Sequence, residues 1–528
     1  MIESLIRMIA SIAIATLFCA MTEKAVGAMQ QSGYKNATFL RWLKRKDNMF
    51  YNRLSVLALC LVLSSAITAL CFSFLGEKLA LTLSAVVFAG ITVFYLVAEH
   101  KYALKVPAKA TGRYCRLYGV YFLFTACFSY AFLALLYFLS VWNGSSLYAL
   151  IAYVPFAITP AILPFLLVLA NAVTGVFENA RNRKFIKKAE HVLNERDMIR
   201  VGVVGSYGKT SVKNILATLL AEKYSVVATP ESYNTPMGVA KTVLQMQESP
   251  KVFIAEMGAR KKGDIAELCQ MVKPDFAVFT GVCPQHIASF GTIESVFAEK
   301  SEILKSGAVT VCGAGLKKWL TPDSGAIFVD ENQVKDLDMQ ATQTSFTLVL
   351  DGEELRVSTK LLSQAAVENI CLAATLCKKM GMTGEEIARG IAKLQPVPHR
   401  LQLIENGGVY ILDDGYNANS KGAKEAIQAL TRFTGRKCIV TPGLVECGVL
   451  EEDLNSELGK EIASAQIDKV VLVGETLVGA VKRGYLSAGG KEENVVQVKT
   501  LQLAQEVLRN WLGQGDCVLF LNDLPDVY

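Results

Sequence analysis

The sequence contains few of the residues from which metal clusters and disulfide frameworks are built. It has four histidines in 528 residues, and none of its thirteen cysteines forms a CxxC pair. This pattern argues against a zinc ribbon or a redox-active dithiol, and it favours cysteines buried as small apolar side chains in a reducing compartment. The net charge of +6 is mild and comes mostly from basic clusters beside apolar runs. It therefore indicates a membrane surface rather than nucleic acid.

Apolar residues are the feature present in excess, and they are concentrated near the start of the chain. Hydrophobic residues make up 52% of the sequence, and the mean hydropathy is +0.33. A helix of about 20 apolar residues is long enough to cross a bilayer. The segments that fit this length are 2–20, 54–75, 79–98, 118–141 and 148–176. They predict an α-helical membrane domain of about five transmembrane helices over residues 1–176.

Basic residues in alternate loops predict the orientation of these helices. Lysine and arginine are frequent in 21–53, in 99–117 and in the segment 177–198, whereas the two remaining loops are short and nearly uncharged. The positive-inside rule puts the N-terminus outside and everything after residue 177 in the cytoplasm of a bacterium, beginning with a basic juxtamembrane linker over 177–198. The membrane domain is expected either to serve as an anchor or to form a groove for a lipid-linked substrate.

A glycine-containing loop follows the short apolar run 199–204 and precedes a helical pattern that begins near Val212. Such a loop turns backbone N–H groups toward phosphates at a helix N-terminus. We expect a solvent-facing Lys209 to reach the β- and γ-phosphates and Thr210 to bind Mg²⁺. The predicted nucleotide-binding residues of the loop are Gly205, Ser206, Gly208, Lys209, Thr210 and Ser211. Because Val203 occupies the first glycine position of the full P-loop pattern, a plain glycine-rich turn is the alternative.

From about residue 199 to 520, several motifs occur in the order in which they occur in the Mur ligases of bacterial peptidoglycan synthesis. They are TPESYNTPMG at 229–238, EMGA at 256–259, HIASFG at 286–291 and DDGYNAN at 413–419. The last resembles most closely the MurF branch, which adds D-alanyl-D-alanine to a muramoyl peptide. The resemblance implies α/β architecture, with a central P-loop ATPase domain over 199–398 and a C-terminal Rossmann-like domain over 399–528.

The same resemblance implies a magnesium site that holds two ions. Glu256, at the end of a predicted strand 252–255, corresponds to a magnesium ligand of the family, and His286 corresponds to its motif histidine. Lys300 corresponds to a lysine that is carbamylated in these enzymes and so becomes a carboxylate-like ligand. The implied metal set is Thr210, Glu256, His286 and carbamylated Lys300. Without the family, these residues would be interpreted as a strand-capping acid, a structural histidine and a solvated lysine.

Further matches imply nucleotide contacts from the second half of the ligase region. Asn369 corresponds to the asparagine that holds adenine, and Arg400 to an arginine that contacts phosphate, with His399 in place of a family glycine. The other implied nucleotide residues are Asp414, Tyr416 and Asn417. Lys209, His286, Lys300 and Arg400 are the residues expected to act in catalysis.

The C-terminal region also shows where this chain departs from the family. Apolar strands are predicted at 437–441, 469–473, 495–498 and 517–521, alternating with helices as in a doubly wound domain. The family's first domain, which grips UDP, has no resembling segment, and the membrane domain occupies its place. The end 521–526 does not match the K-G-S-R of the MurF branch, so the amino-acid pocket is expected to be rebuilt.

The resemblance implies an ATP-dependent carboxylate–amine ligase that works through an acyl phosphate. Its expected partners are membrane lipids, an amino acid or dipeptide, and a cell-wall or other envelope precursor that is linked to UDP or to lipid. Nucleic acid is not expected. A poly-γ-glutamate-synthase-like amide ligase is the alternative within the same chemistry. A P-loop ATPase coupled to transport is the alternative from a different class, and it leaves Glu256, His286 and Lys300 unexplained.

Overall fold

The computed structural model describes residues 2–44, 49–75, 77–100, 108–143, 146–247, 249–283, 290–415, 420–445 and 450–522. The chain divides into two compact units, one extending to Asn182 and the other beginning at Arg183. The first unit is built from helices around a buried apolar core that includes Phe18, Tyr121 and Leu167. Its helices are α1 (Ile2–Met21), α2 (Glu23–Gln31), α3 (Asn36–Leu43), α4 (Met49–Leu75), α5 (Glu77–His100), α6 (Gly112–Asn143) and α7 (Ser146–Glu195).

Each of the five predicted spans lies within one of the long helices α1, α4, α5, α6 and α7. Over the residues described, three stretches are long and apolar enough to cross a membrane: Ile2–Met21, Gly112–Leu135 and Ala157–Glu195. Shorter apolar stretches occur in the other two helices, at Phe50–Ser64 and Val86–Glu99. The helices are therefore as expected, whereas their insertion in a membrane stays a prediction.

The segment 177–198, expected as a linker, is helical as far as Glu195 because α7 continues through it. Its apolar residues recur at helical spacing, and Ala189 and Leu193 are fully buried in a core of the second unit. Burial of this apolar face holds the segment in a helix despite its many lysines.

The first part of the second unit contains a six-stranded parallel sheet with the strand order β2-β3-β1-β4-β5-β6. Its strands are β1 (Ile199–Val204), β2 (Val226–Ala228), β3 (Val252–Glu256), β4 (Phe276–Phe279), β5 (Val309–Cys312) and β6 (Ile327–Phe328). A second, antiparallel sheet consists of β7 (Val334–Met339), β8 (Thr344–Leu350) and β9 (Glu353–Thr359). The chain order of the parallel strands reverses at β1, which places a crevice for ligands at the carboxyl ends of β1 and its neighbours.

Helices cover both faces of this parallel sheet and bury its β-branched and aromatic residues. They are α8 (Lys209–Leu220), α9 (Pro236–Gln245), α10 (Asp264–Val272), α11 (Ile293–Lys300), α12 (Gln364–Lys379) and α13 (Gly384–Ala392), with a 3-10 turn at Ser301–Ser306. Helix α8 begins at Lys209 rather than near Val212, because Gly208 has a φ of 72° and turns the chain directly into the helix.

The remainder forms a second six-stranded sheet with the order β10-β11-β15-β12-β13-β14. Among the described strands of this sheet, β10 and β11 pair antiparallel, and all the other neighbours pair in parallel. The strands are β10 (Gln402–Asn406), β11 (Val409–Asp414), β12 (Lys437–Thr441), β13 (Lys469–Val473), β14 (Val495–Val498) and β15 (Cys517–Leu521). The helices are α14 (Ser420–Thr431), α15 (Glu451–Ser464), α16 (Val478–Ser487) and α17 (Leu501–Trp511). All four strands predicted after residue 436 are confirmed with their ends.

Close packing of α15 against α16 depends on glycine. A Cβ atom at Gly459 would overlap the backbone oxygen of Val481 and the backbone nitrogen of Tyr485. We expect Gly459→Ala to lower the free energy of unfolding by about 1–3 kcal/mol, because the two helices must move apart to admit the methyl group. Pulse proteolysis of the full chain in increasing urea measures this difference.

Gly479→Ala is the matched control. A Cβ atom at Gly479, in the partner helix α16, meets only a guanidinium nitrogen of Arg483, at 3.4 Å. Alanine favours the helix at such a position, so this variant should be as stable as the parent. Equal stability of the two alanine variants would contradict the role assigned to Gly459.

Candidate functional site

The side chains of interest gather where β1 and β3 end. These strands pair in parallel with Val203 opposite Glu256, so the loop after β1 emerges beside the carboxylate at the end of β3. Glu256 is 1% exposed. A carboxylate buried so deeply is costly unless it is paired and hydrogen-bonded, and three side chains provide this.

The three donors reach Glu256 from two segments, because Thr210 and Lys213 lie on helix α8 and Asn234 lies before α9. The hydroxyl of Thr210 donates to Oε2 at 3.0 Å, and the amide of Asn234 donates to Oε1 at 3.1 Å. The ammonium group of Lys213 lies 3.2 Å from Oε2 and also donates to the backbone oxygen of Glu231. Burial lowers the pKa of Lys213, and the charge of Glu256 opposes that shift. The carboxylate thus joins the start of helix α8, where the phosphate loop ends, to the segment before α9.

The loop 205–208 has the features of a phosphate cradle. The hydroxyl oxygen of Ser206 is buried and has no hydrogen-bond partner within the described structure. Gly208 has a φ of 72°, and a Cβ atom there would lie 2.8 Å from the side-chain oxygen of Asn369. A buried hydroxyl that lacks a partner and a glycine that brings the backbone close to helix α12 both fit a bound anion at this place.

Lys209, expected to face solvent, lines the cleft and is only partly exposed. Its side chain is partly buried, and its ammonium group donates to the carbonyl oxygen of Gly205 at 2.9 Å. Burial lowers the pKa of Lys209, Glu256 raises it, and Arg400 lowers it. The lysine therefore bonds back across its own loop at the position where phosphate oxygens are expected.

Lys300 is the last residue of α11 and is 3% exposed. Burial, and after it the positive charge of Lys209, lowers the pKa of Lys300 to about 7. The preceding Glu299 holds the helix in place by accepting hydrogen bonds from the backbone nitrogens of Gly263 at 2.7 Å and Ile265 at 2.9 Å. Lys300 is thus a buried amine whose unprotonated form is accessible near neutral pH, rather than a solvated helical lysine.

The C-terminal six-stranded sheet contributes residues from β11 and from the turn before β10. His399 has a φ of 60°, which explains why the family has glycine there, and its imidazole lies 2.7 Å from the carboxylate of Asp413. Asp414 accepts a hydrogen bond from the backbone nitrogen of Leu401 at 3.0 Å. Burial raises the pKa of Asp414 to about 6, although Arg400 opposes the shift. Asp414 ends strand β11 instead of following it.

A cleft of about 650 Å³ brings these groups together. The predicted residues that line it are Ser206, Gly208, Lys209, Thr210, Ser211, Glu256, Asn369, Arg400 and Asp414. Gly205 contributes through its carbonyl, whereas Lys300 lies behind the lining and acts electrostatically on Lys209. His286, Tyr416 and Asn417 lie outside the described residues, so their predicted roles stay predictions.

Two lysines were missed by sequence reasoning, Lys421 in the lining of the cleft and Lys213 behind Glu256. Lys213 lies one helical turn after Lys209, and that spacing on α8 was its only signal. Lys421, on α14, lies 3.3 Å from Glu368 and 5.9 Å from the ring centre of Tyr207 in the phosphate loop. From helix α14 it adds a cation to a cleft that already contains Lys209 and Arg400.

The residues fit a magnesium ion that is shared with phosphates. The hydroxyl of Thr210 and the carboxylate of Glu256 are adjacent at the end of the loop. Among the described residues there is no cluster of three or more His, Cys, Asp or Glu side chains suited to a metal. Mg²⁺ needs no such cluster, because it commonly keeps several waters and takes one or two protein oxygens beside phosphate oxygens.

Comparison with known proteins gives the same result as the motifs. The chain matches the Mur ligase middle domain over residues 203–377 and the Mur ligase glutamate ligase domain over 399–522. The UDP-N-acetylmuramoyl-tripeptide–D-alanyl-D-alanine ligase of Bacillus subtilis is 29% identical over 344 residues, which are 63% of this chain and 74% of that protein. The Escherichia coli enzyme of the same name is 30% identical over 292 residues, 52% of this chain and 64% of that protein.

A solved structure extends the comparison to the fold. The MurF ligase of Thermotoga maritima in complex with ADP superposes with a TM-score of 0.58 at 27% identity, covering 65% of this chain and 80% of that one. The match to the E. coli enzyme leaves more than a third of its length without a counterpart in this chain.

The buried pair of Lys213 and Glu256 leads to a prediction about stability. We expect Lys213→Met or Glu256→Gln alone to cost about 3–5 kcal/mol of unfolding free energy, because each leaves an uncompensated buried partner. The double variant should cost clearly less than the sum of the two, and urea-dependent pulse proteolysis of all four proteins gives the coupling energy.

The exposed pair of Lys482 and Glu492, 2.8 Å apart, is the control for this cycle. The corresponding Lys482→Met and Glu492→Gln variants should couple by less than about 1 kcal/mol, since solvent screens exposed pairs. Strict additivity at Lys213 and Glu256 would show that the two side chains do not depend on each other.

Proposed function

The chain belongs to the Mur ligase family, whose members are ATP-dependent, ADP-forming amide ligases, and we propose that it joins a carboxylate to an amine on an envelope precursor. The observation that carries the proposal is the cleft between the two six-stranded sheets of the second unit. On one side lie the phosphate loop with Lys209 and the pair of Thr210 and Glu256, and on the other lie Arg400 and Asp414. These groups match the needs of a phosphoryl transfer followed by an acyl transfer.

The proposed reaction avoids the direct attack of an amine on a carboxylate, in which the leaving group is poor. A carboxylate oxygen attacks the terminal phosphorus of ATP, the bond to ADP breaks, and an acyl phosphate forms. The amine nitrogen then attacks the acyl carbon and loses a proton, and phosphate departs with the electron pair as the amide forms.

The residues of this chain position and neutralise the charged groups. Lys209 and Arg400 approach the phosphates from opposite sides of the cleft, and cations fixed in this way stabilise the charge of the transferring group. Thr210 and Glu256 would hold Mg²⁺, which supplies further positive charge to the phosphate oxygens. Asn369 would contact the base and Asp414 the ribose or phosphates, with Tyr416 and Asn417 beside it.

A second metal position is proposed from Glu256, His286 and a carbamylated Lys300. Carbamate formation requires an unprotonated amine, and the burial of Lys300 beside the charge of Lys209 favours that form. The carbamate would replace a cation with an anionic oxygen ligand at this position.

We also propose that the first unit spans the cytoplasmic membrane of a bacterium and holds the ligase on the side where ATP is available. Coincidence of the predicted spans with helices supports this placement, as does the exposure of large apolar side chains such as Phe94 and Phe177 on α5 and α7. The named relatives act on a UDP-linked acceptor. For this chain we propose a lipid-linked acceptor, because no segment resembles the UDP-binding domain and the helical unit stands in its place.

The ligase proposal is tested by Lys209→Ala in the full-length protein. Membranes containing it receive ATP, candidate amino acids or dipeptides, and either UDP-linked or lipid-linked peptide acceptors, and products are identified by mass spectrometry. We expect product formation to fall by about 100-fold or more, because the cation at the transferring phosphate is removed. Lys251→Ala, at an exposed pair with Asp197, should keep parental activity. Parental turnover by a folded Lys209→Ala protein would remove the phosphate-loop assignment.

Lys300→Ala tests the carbamate. The variant should lose activity because an oxygen ligand of the metal is missing, and acetate or formate should restore part of it by supplying that oxygen. Intact-protein mass spectrometry should show the added carbamate on the parent at neutral pH and its loss in acid. Lys305→Ala is the control, since this lysine is exposed and pairs with Glu302 at 2.5 Å. An active Lys300→Ala enzyme would show that the lysine has no catalytic part.

A further inference from the structure

The first unit contains a buried carboxylate with more cations around it than it can neutralise. Glu178, on α7, is 4% exposed. Its Oε1 accepts a hydrogen bond from Nε of Arg116 at 2.5 Å, and its Oε2 lies 3.1 Å from a guanidinium nitrogen of Arg181. A third guanidinium, that of Arg113, is close enough for the charges of all three groups to act on it. The cluster therefore has three positive charges and one negative charge.

The guanidinium groups of this cluster keep donors available for a ligand. Arg116 and Arg181 are about half exposed, with side-chain exposures of 43% and 49%. Each guanidinium has five N–H donors, and Glu178 lies within 4 Å of only part of each set. The guanidinium of Arg113 stacks on the ring of Tyr34, with 4.0 Å between the guanidinium carbon and the ring centre. Stacking of this kind orients a guanidinium while its edge stays able to donate.

Topology alone does not explain this arrangement. A basic residue satisfies the positive-inside rule anywhere in a cytoplasmic loop, as the exposed residues Lys184, Lys187 and Lys188 do farther along α7. Convergence of three arginines on one buried acid is an additional feature. The acid fixes the positions of guanidinium groups that would otherwise repel one another, and it leaves a surplus of positive charge.

An apolar face of α7 leads to the cluster. Val173, Phe177 and Arg181 are spaced by four residues, so they lie above one another on one face of the helix. Phe177 is 72% exposed, and the exposed face continues away from the cluster through Leu169 and Phe165. A ligand that fits both features has an anionic headgroup and a long apolar chain.

We propose that Arg113, Arg116 and Arg181 bind the phosphate or pyrophosphate headgroup of a membrane lipid whose apolar chain lies along the exposed face of α7. This inference rests on the proposed placement of the first unit in a membrane, and it gives the lipid-linked acceptor a binding site. Arginine suits this ligand because its planar fork pairs with two phosphate oxygens at once, and surplus charge favours a pyrophosphate, with its higher charge, over a single phosphodiester.

The test uses the full-length protein in phosphatidylcholine nanodiscs without ATP, so its outcome does not depend on ligase activity. Undecaprenyl pyrophosphate, undecaprenol or phosphatidylglycerol is added in turn, and the lipid retained on the protein is measured by native mass spectrometry. We expect retention of the pyrophosphate lipid over both others. Arg116→Ala and Arg181→Ala should weaken it by about tenfold or more, since each removes a charged hydrogen bond, whereas Arg116→Lys should weaken it less.

Arg183→Ala is the matched control, because this exposed arginine lies two residues from Arg181 and so on the opposite face of α7. It should retain the lipid as the parent does. Equal loss in Arg183→Ala would reduce the effect to general surface charge, and equal retention of undecaprenol would show that the headgroup is not recognised. Displacement of the lipid by free inorganic pyrophosphate at the same concentration would assign the site to a soluble anion. Each of these three results would overturn the proposal, while the Lys209→Ala assay would still judge the ligase separately.

Discussion

The carboxylate of Glu256 is the constraint on which the organisation of the ligase site depends. It ends a central strand, it is almost completely buried, and it is bonded by Thr210, Asn234 and Lys213. Thr210 and Lys213 lie on α8 and Asn234 lies before α9, so a single charge fixes the helix after the phosphate loop against the segment before α9. Because these contacts hold the end of the loop in place, the loop depends less on its own sequence. Val203 in place of the first glycine of the longer P-loop pattern is consistent with this.

The distribution of charge across the cleft explains why the site is divided between two sheets. Lys209 lies on one side, and Arg400 and Lys421 on the other, so the cleft concentrates cations that repel one another until an anion lies between them. The same repulsion appears in the pKa of Lys209, which the positive charge of Arg400 lowers. A polyphosphate bound between these cations would offset their repulsion. Glu368 offsets part of the repulsion on Lys421 through an ion pair at 3.3 Å.

The sequence was sufficient wherever one local pattern determines the structure. The strands at 437–441, 469–473, 495–498 and 517–521 were predicted with their ends. Short β-branched and apolar runs bounded by polar residues are typical of buried strands. Lys213 was not predicted, since its role depends on burial against β3, which is distant in sequence. The helical state of 177–195 was missed for a related reason: its lysines dominate the pattern, whereas Ala189 and Leu193 decide it by packing on a sheet that follows.

The two units use buried acids in the same physical way. Glu256 and Glu178 are both less than 5% exposed, and both are paired with cations, Glu256 with Lys213 and Glu178 with Arg116 and Arg181. An unpaired lysine or arginine side chain is mobile and strongly hydrated. A phosphate that binds it must therefore displace the water of the side chain and also restrict its motion. A buried carboxylate restricts the side chain during folding and withdraws only part of the charge. Around Glu178 the three arginines outnumber the acid, and in the proposed site this surplus charge would act on a lipid phosphate from fixed positions.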